Sequence, residues 1–88
     1  MSKPYLEVTY SQGKPFAAYL YLRRQPDDKS VRTERRGLFL IDFTADGRAI
    51  GIEFTSLTGI DAAAVNQILS ELNEASLPAA DLAPLTAA

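Results

Sequence analysis

Three acidic side chains form the strongest chemistry-like pattern in this chain. Asp42, Asp46 and Glu53 occupy the first, fifth and twelfth positions of one stretch, and Gly47 occupies the sixth. Oxygen ligands at those positions, with glycine at the sixth and glutamate at the twelfth, outline a calcium-binding loop. Such a loop needs a flanking helix on each side, whereas residues 38–43 alternate as a strand. We therefore favour structural roles for the three carboxylates and keep a hard cation as an alternative.

Asp42 and Glu53 could also act as a general acid and base, because a hairpin would place them diagonally on one face. No cleft-forming element supports that chemistry. The chain has no histidine and no cysteine, so the commonest general base and the thiolate nucleophile are missing. We predict no enzyme, no catalytic residue, no metal and no cofactor. Each carboxylate should accept hydrogen bonds or pair with an arginine such as Arg35, with Gly51 leaving room for the approach.

A β-hairpin must position these carboxylates, and its register can be argued from the sequence. Asp46-Gly47 favours a two-residue type I′ turn, in which both central residues have positive φ. A three-residue loop with a glycine bulge would shift the register by one and scatter the apolar residues over both faces. The two-residue turn predicts the pairs Ala45–Arg48, Phe43–Ile50, Ile41–Ile52 and Phe39–Phe54. The opposite face then holds Leu38, Leu40, Asp42, Ala49, Gly51 and Glu53.

Another hairpin precedes it, because apolar residues alternate with polar ones over 6–10 and again over 16–22. Residues 11–15 provide the loop. The expected pairs are Tyr10–Phe16, Val8–Ala18 and Leu6–Leu20. The connector 23–36 contains a turn at 26–28 and a candidate charged edge strand at 31–35.

A helix follows the second hairpin. Thr58 is the predicted N-cap, an apolar stripe runs from Ile60 to Leu72, and Leu77-Pro78 ends the helix. We predict an α+β fold in which an antiparallel sheet of four to five strands, made of two successive hairpins, carries one C-terminal helix on one face. Residues 1–78 form the single domain, and 79–88 form a loosely ordered C-terminal tail.

One helix covers only one face of such a sheet. The other face should expose a contiguous apolar and aromatic patch, which on a small domain is typical of an interface. The patch contains Tyr5, Tyr19, Tyr21, Leu38 and Leu40. We predict a non-catalytic protein-interaction module, a homodimer that self-associates through a sheet face or edge and that could bind a further protein partner.

Nucleic-acid binding is the alternative function. The connector 23–36 is basic, and tyrosines on an open sheet could stack bases. Its candidate residues are Arg23, Arg24, Arg32, Arg35 and Arg36. Against this, the acids of the connector interleave with its bases, and the whole chain is acidic, with a pI of about 4.9.

The N-terminal residues lack the apolar run of a signal peptide, and no stretch approaches the roughly 18 apolar residues of a membrane span. The absence of cysteine fits a reducing compartment. We expect a cytoplasmic location and no membrane partner.

Several short motifs resemble an uncharacterised group of short bacterial proteins, the domain-of-unknown-function family 2283. The first lies at 18–22, and the others are 40–43, the turn 46–48 and the closing run 51–54. The similarity covers about residues 6–57. Thr44 departs from it, because such proteins often carry an acid there, and the first turn lacks their usual acidic residues. The resemblance implies a fold of short strands with no established activity. Genes of this type are often placed near toxin–antitoxin-like pairs, which gives weak support to a protein-binding role. An antitoxin-like component belongs to the alternative function, beside nucleic-acid binding.

Overall fold

The computed structural model describes residues 4–57 and 60–86 of the 88-residue chain. Five strands form one antiparallel sheet in the order β1-β2-β5-β4-β3. They are β1 Tyr5–Ser11, β2 Lys14–Tyr21, β3 Arg32–Arg36, β4 Phe39–Phe43 and β5 Ala49–Phe54. The helices are α1 Ala62–Glu71, a 3-10 helix Ala79–Leu82 and α2 Ala83–Thr86. The predicted α+β class and antiparallel sheet are confirmed, with five strands. The single C-terminal helix is wrong, because two short α-helices are present.

The central register of the β4–β5 hairpin is confirmed, since Phe39 lies opposite Phe54 and Ile41 opposite Ile52. Its turn is different from the predicted one. Gly47 has φ of +87° and its N–H donates to the Thr44 carbonyl over 3.0 Å, which closes a three-residue loop. The Thr44 hydroxyl accepts from the Arg48 N–H at 3.1 Å. That extra hydrogen bond stabilises the wider loop.

A bulge at Ile50 explains how this loop coexists with the predicted register. Phe43 lies opposite Ala49, whereas Asp42 lies opposite Gly51, so Ile50 is an extra residue in β5. The one-residue shift made by the loop is thereby cancelled. The predicted Phe43–Ile50 pair is wrong, and Ala49 packs against the core instead of the opposite face.

The β1–β2 hairpin also combines the predicted register with a bulge. Leu6 lies opposite Leu20 and Val8 opposite Ala18, as predicted. Tyr10 lies opposite Pro15 rather than Phe16. Phe16 is thus the extra residue in β2, and 71% of its surface is exposed. The turn is the two residues 12–13, both with positive φ, rather than the five-residue loop.

The core lies between the sheet and the helices. It joins inward-facing residues of the strands to apolar side chains of α1 and of the C-terminal helices. Its main members are Leu20, Leu22, Ile41, Ile52, Phe54, Val65, Leu69, Leu82 and Leu85.

Helix α1 begins later and ends earlier than predicted. Asp61 is its N-cap, and its Oδ1 accepts from the Ala64 N–H at 2.8 Å. The predicted cap, Thr58, lies outside the described residues. Asn73 adopts φ of +59°, and the N–H of Glu74 donates to the Leu69 carbonyl over 2.8 Å. This left-handed ending stops the helix before Leu77-Pro78.

The segment after the helix is part of the core. The Asn66 side chain clamps the Leu77 backbone, accepting from its N–H at 2.8 Å and donating to its carbonyl at 3.0 Å. Downstream, Leu82 and Leu85 are 0% and 1% exposed. The predicted loose tail is therefore corrected for residues 79–86, which form helical turns whose leucines pack on the sheet.

In the described part of the chain, no helix is long and apolar enough to cross a membrane.

Candidate functional site: the open face of the sheet

One face of the sheet packs against the helices, and the other face, which we call the open face, carries none of the described helices. The strand registers bring together on it Tyr5, Glu7, Tyr19, Tyr21, Thr33, Arg35, Leu40, Asp42, Gly51 and Glu53. Successive side chains of a strand point to opposite faces, so the residues between the core residues of β4, Leu40 and Asp42, point to this surface.

Gly51 is the floor of the open face. It lies between Tyr21 of β2 and Asp42 of β4, and a Cβ built on it would overlap the ring and hydroxyl of Tyr19. The missing side chain therefore lets Tyr19 cross β5. The Tyr19 hydroxyl donates to Asp42 Oδ2 over 2.6 Å, and the Thr33 hydroxyl donates to Oδ1 over 2.6 Å. The place that we expected an arginine such as Arg35 to fill is taken by a tyrosine.

The three predicted tyrosines form one aromatic cluster. The rings of Tyr5 and Tyr21 stack with centroids 4.6 Å apart, and Tyr19 meets Tyr21 edge to face at 4.7 Å. Tyr5 is 53% exposed at the edge of the sheet. Side chains that are locked against each other lose less conformational entropy on binding, so the cluster is preorganised for a contact.

Two leucines complete the predicted patch. Leu40 is half-buried between Glu53 and Arg35, which lie opposite it on the neighbouring strands. Leu38 precedes β4 and is 43% exposed, and its carbonyl accepts from both the N–H and the hydroxyl of Thr55. Leu40 is therefore the central apolar residue of the open face, and Leu38 lies at its margin.

The environment shifts two of the tyrosine pKa values. Burial and the hydrogen bond to Asp42 raise the pKa of the Tyr19 hydroxyl well above its ordinary value. The negative charge of Glu7 raises the pKa of Tyr21. Both phenols therefore ionise at a higher pH than an exposed tyrosine, which ionises near pH 10.

We expect alkaline pH to destabilise the protein through Tyr19. A phenol whose folded-state pKa lies above its unfolded value contributes stability below about pH 10, and that stability is lost as the pH rises further. Urea unfolding between pH 9 and 11.5 should show a falling free energy of unfolding, and Tyr19→Phe should flatten the slope. Tyr10→Phe, at an exposed tyrosine at the far end of β1, is the matched control. Equal slopes for the native chain and Tyr19→Phe would contradict the assignment.

The calcium-like pattern is divided between two places. Asp42 belongs to the tyrosine network, whereas Asp46 accepts from the Thr44 hydroxyl and from Arg48 Nε at 3.1 Å. These two donors lower the pKa of the Asp46 carboxyl. Within residues 4–57 and 60–86, no group of three or more histidine, cysteine, aspartate or glutamate side chains is arranged to hold a metal ion.

Arg48 makes a contact that the sequence analysis missed. Its guanidinium donates to both carboxylate oxygens of Asp28, over 3.1 and 2.6 Å, and Asp28 is only 7% exposed. The Asp28 carboxylate also accepts from the Gln25 N–H across the predicted turn at Pro26. These hydrogen bonds lower the pKa of Asp28. An arginine directly after the hairpin glycine, and an acid inside a proline turn, were the available signals.

Two of the arginines proposed for nucleic-acid binding face the helix side. Arg32 pairs with Glu34, and its guanidinium lies 4.2 Å from the centre of the Phe43 ring. Arg36 pairs with Glu34 at 3.6 Å and with Glu71 of α1 at 2.9 Å. Both guanidiniums are therefore engaged within the molecule.

The other three arginines are divided between the two sides of the sheet. Arg24 lies 5.6 Å from the centre of the Tyr21 ring, and Arg35 donates to the Gly37 carbonyl at 3.2 Å. Arg23 is exposed. The structure thus separates the five predicted arginines over two sides of the sheet.

No protein-family model matches this chain, and the searches of curated proteins and of solved structures likewise give no match. The resemblance to the domain-of-unknown-function family 2283 stays a prediction.

Proposed function

We propose that this protein is a small non-catalytic interaction module that forms a homodimer through the open face. One observation carries the proposal. A five-stranded sheet is covered by helices on one face, while the other face carries an ordered aromatic cluster with Leu40 beside it and none of the described helices.

The hydrophobic effect that packs the helices on the covered face also favours covering the open face. Removing apolar and aromatic surface from water is favourable by about 25 cal/mol for each Å². Two such sheets would pack face to face about 10 Å apart, as in a β-sandwich. Tyrosines are frequent anchors at protein interfaces, since the ring buries apolar area while the hydroxyl keeps a polar partner.

Charge favours a protein partner over nucleic acid. The open face carries the carboxylates of Glu7, Asp42 and Glu53 against the guanidiniums of Arg24 and Arg35. A face with more acids than bases repels phosphate, while the mixture of signs suits a second copy that presents the same groups about a twofold axis.

We predict that Leu40→Asp dissociates the dimer. A carboxylate in the centre of the buried patch would lose its hydration beside Glu53, so the dissociation constant should rise at least about 100-fold, a typical effect of roughly 3 kcal/mol. Sedimentation equilibrium at micromolar concentration measures it. The native chain should sediment at twice its 9.6 kDa mass and the variant at 9.6 kDa.

Ala63→Asp is the matched control. Ala63 is exposed in the first turn of α1, on the other side of the sheet, where an acid is compatible with the helix dipole. It adds the same charge and should leave the dimer intact. Circular dichroism must show that both variants are folded. A native chain that sediments as a monomer would exclude the proposal.

The nucleic-acid alternative rests on the aromatic cluster and on Arg24 above Tyr21. Retention of the native chain on heparin at low salt, lost as the salt concentration rises, would support it, and absence of retention would count against it. An antitoxin-like role and a cytoplasmic location also remain predictions.

A further inference from the structure

The two edges of the sheet differ in their protection. β3 has charged side chains at four of its five positions, whereas β1 carries one charged residue, Glu7, among seven. Charged side chains discourage another strand from pairing with an edge. The edge at β3 is therefore shielded, and the edge at β1 is not.

The backbone of β1 is a continuous template. The bulge of the first hairpin places its extra residue, Phe16, in β2, so β1 continues without interruption from Tyr5 to Ser11. In the described part of the molecule, β1 pairs only with β2. Along its outer side, alternate N–H and C=O groups are available to a further strand.

A cavity of about 310 Å³ lies beside the start of β1. Its lining combines apolar side chains with polar groups, and Asp81 is among the lining residues. The apolar residues include Leu6, Leu20, Leu77 and Pro84. A volume of this size is at the lower end of the range found for ligand pockets, about 300–1,000 Å³, and leaves room for one large apolar side chain.

We propose that an extended peptide segment of another protein adds to β1 as a sixth strand. Its backbone pairs with the free edge, and an apolar side chain enters the cavity from a position one strand spacing, about 4.8 Å, beyond Leu6. A lysine or arginine on the peptide lies next to Glu7. The edge borders the open face and shares Glu7 with it, but backbone pairing along β1 needs no second copy on the face, so this proposal does not depend on the homodimer.

Charge identifies a basic peptide rather than a second copy as the occupant. β1 itself has no cationic residue, and within residues 4–57 and 60–86 the charged groups along β1 and in its cavity are Glu7 and Asp81. Two copies joined through β1 would bring four carboxylates together without a compensating cation from either strand. A segment with alternating apolar and basic residues supplies the missing charge.

Short synthetic peptides that alternate valine with lysine provide the probe, with leucine, isoleucine or phenylalanine at one central apolar position. Nuclear magnetic resonance of the full chain should show saturable shifts of β1 amides and of Asp81 at micromolar to millimolar peptide. These lysine peptides should bind more tightly than matched peptides in which glutamate replaces each lysine. No binding by any of the three, or shifts at β3 or on the open face instead, would overturn the proposal.

Backbone methylation separates strand addition from mere side-chain attraction. Two versions of the best peptide are methylated at alternate backbone nitrogens, one at odd and one at even positions. In an antiparallel pair only every second N–H faces the neighbouring strand, so one version should lose at least about tenfold in affinity and the other should keep it. Equal losses would overturn the proposal.

Glu7→Lys provides the charge test, and Glu34→Lys on β3 is its control. The first variant should bind lysine peptides at least about fivefold more weakly and glutamate peptides more tightly. The second should leave both affinities unchanged. A dimer of the native chain that excludes the peptide, and that Glu7→Lys changes while Leu40→Asp does not, would instead assign this edge to a second copy and overturn the proposal.

Discussion

Deletion of residues 79–88 should leave a chain that no longer folds cooperatively. The deletion removes Leu82 and Leu85, which are 0% and 1% exposed within the main core cluster. Loss of one such leucine side chain costs about 2–5 kcal/mol, because apolar burial is lost and a cavity remains. The whole free energy of unfolding of a small domain is about 5–15 kcal/mol. Two losses of that size would remove most of the free energy of unfolding.

The measurement is urea unfolding followed by circular dichroism, supported by near-ultraviolet spectra that report tertiary packing. Leu82→Ala in the full-length chain should lower the free energy of unfolding by about 3 kcal/mol. Ala80→Ser, at an exposed position of the same 3-10 helix, is the matched control and should change it by less than about 0.5 kcal/mol. A truncated chain that unfolds cooperatively with nearly native stability would mean that 79–86 lies outside the core.

The sequence missed this segment because its anchor is a tertiary contact. Residues 79–88 show no helical period, and only two leucines in them are spaced for one face of a short turn. What brings them to the sheet is the Asn66 side chain, which holds the Leu77 backbone from a distance of 11 residues. A side chain with two polar atoms in a helix interior carries no local signal that reveals such a partner.

The strand pattern was predictable because alternation is a local property. The sorting of Phe39, Ile41, Ile52 and Phe54 into the core needed only the rule that successive side chains face opposite ways. The loop between them was not predictable by that rule alone. A bulge at Ile50 compensates for the loop. The one-residue register shift from the loop and the one from the bulge therefore cancel over most of the hairpin.

The candidate site was predictable in its members and not in its contacts. The alternation of side chains along each strand placed Tyr19, Gly51 and Asp42 on one face. Their actual geometry depends on β2 lying next to β5, which is a matter of strand order. Gly51 opposite Asp42 suggested that a side chain approaches there, but the choice of Tyr19 over Arg35 follows from which strand is the neighbour.

Gly51→Ala should destabilise the native chain and stabilise a chain that lacks the Tyr19 ring. In the native background the new methyl group displaces the ring and breaks its hydrogen bond to the Asp42 carboxylate. A hydrogen bond to a charged group contributes about 1.5–3 kcal/mol, so the free energy of unfolding should fall by about 2 kcal/mol. In a Tyr19→Ala background the clash is absent. The free energy of unfolding should then be about 0.5–1 kcal/mol higher with alanine than with glycine, because glycine is unfavourable in a strand interior.

A double-mutant cycle by urea unfolding measures this reversal, and the coupling between the two positions should reach about 2–3 kcal/mol. Tyr19→Phe distinguishes the ring from its hydroxyl. It removes the hydrogen bond but keeps the ring above Gly51, so Gly51→Ala should remain unfavourable in that background. Additive effects at the two positions would show that the ring does not lie across β5. Because the ring holds the centre of the open face, the same cycle followed by sedimentation reports whether that arrangement is what a second copy binds.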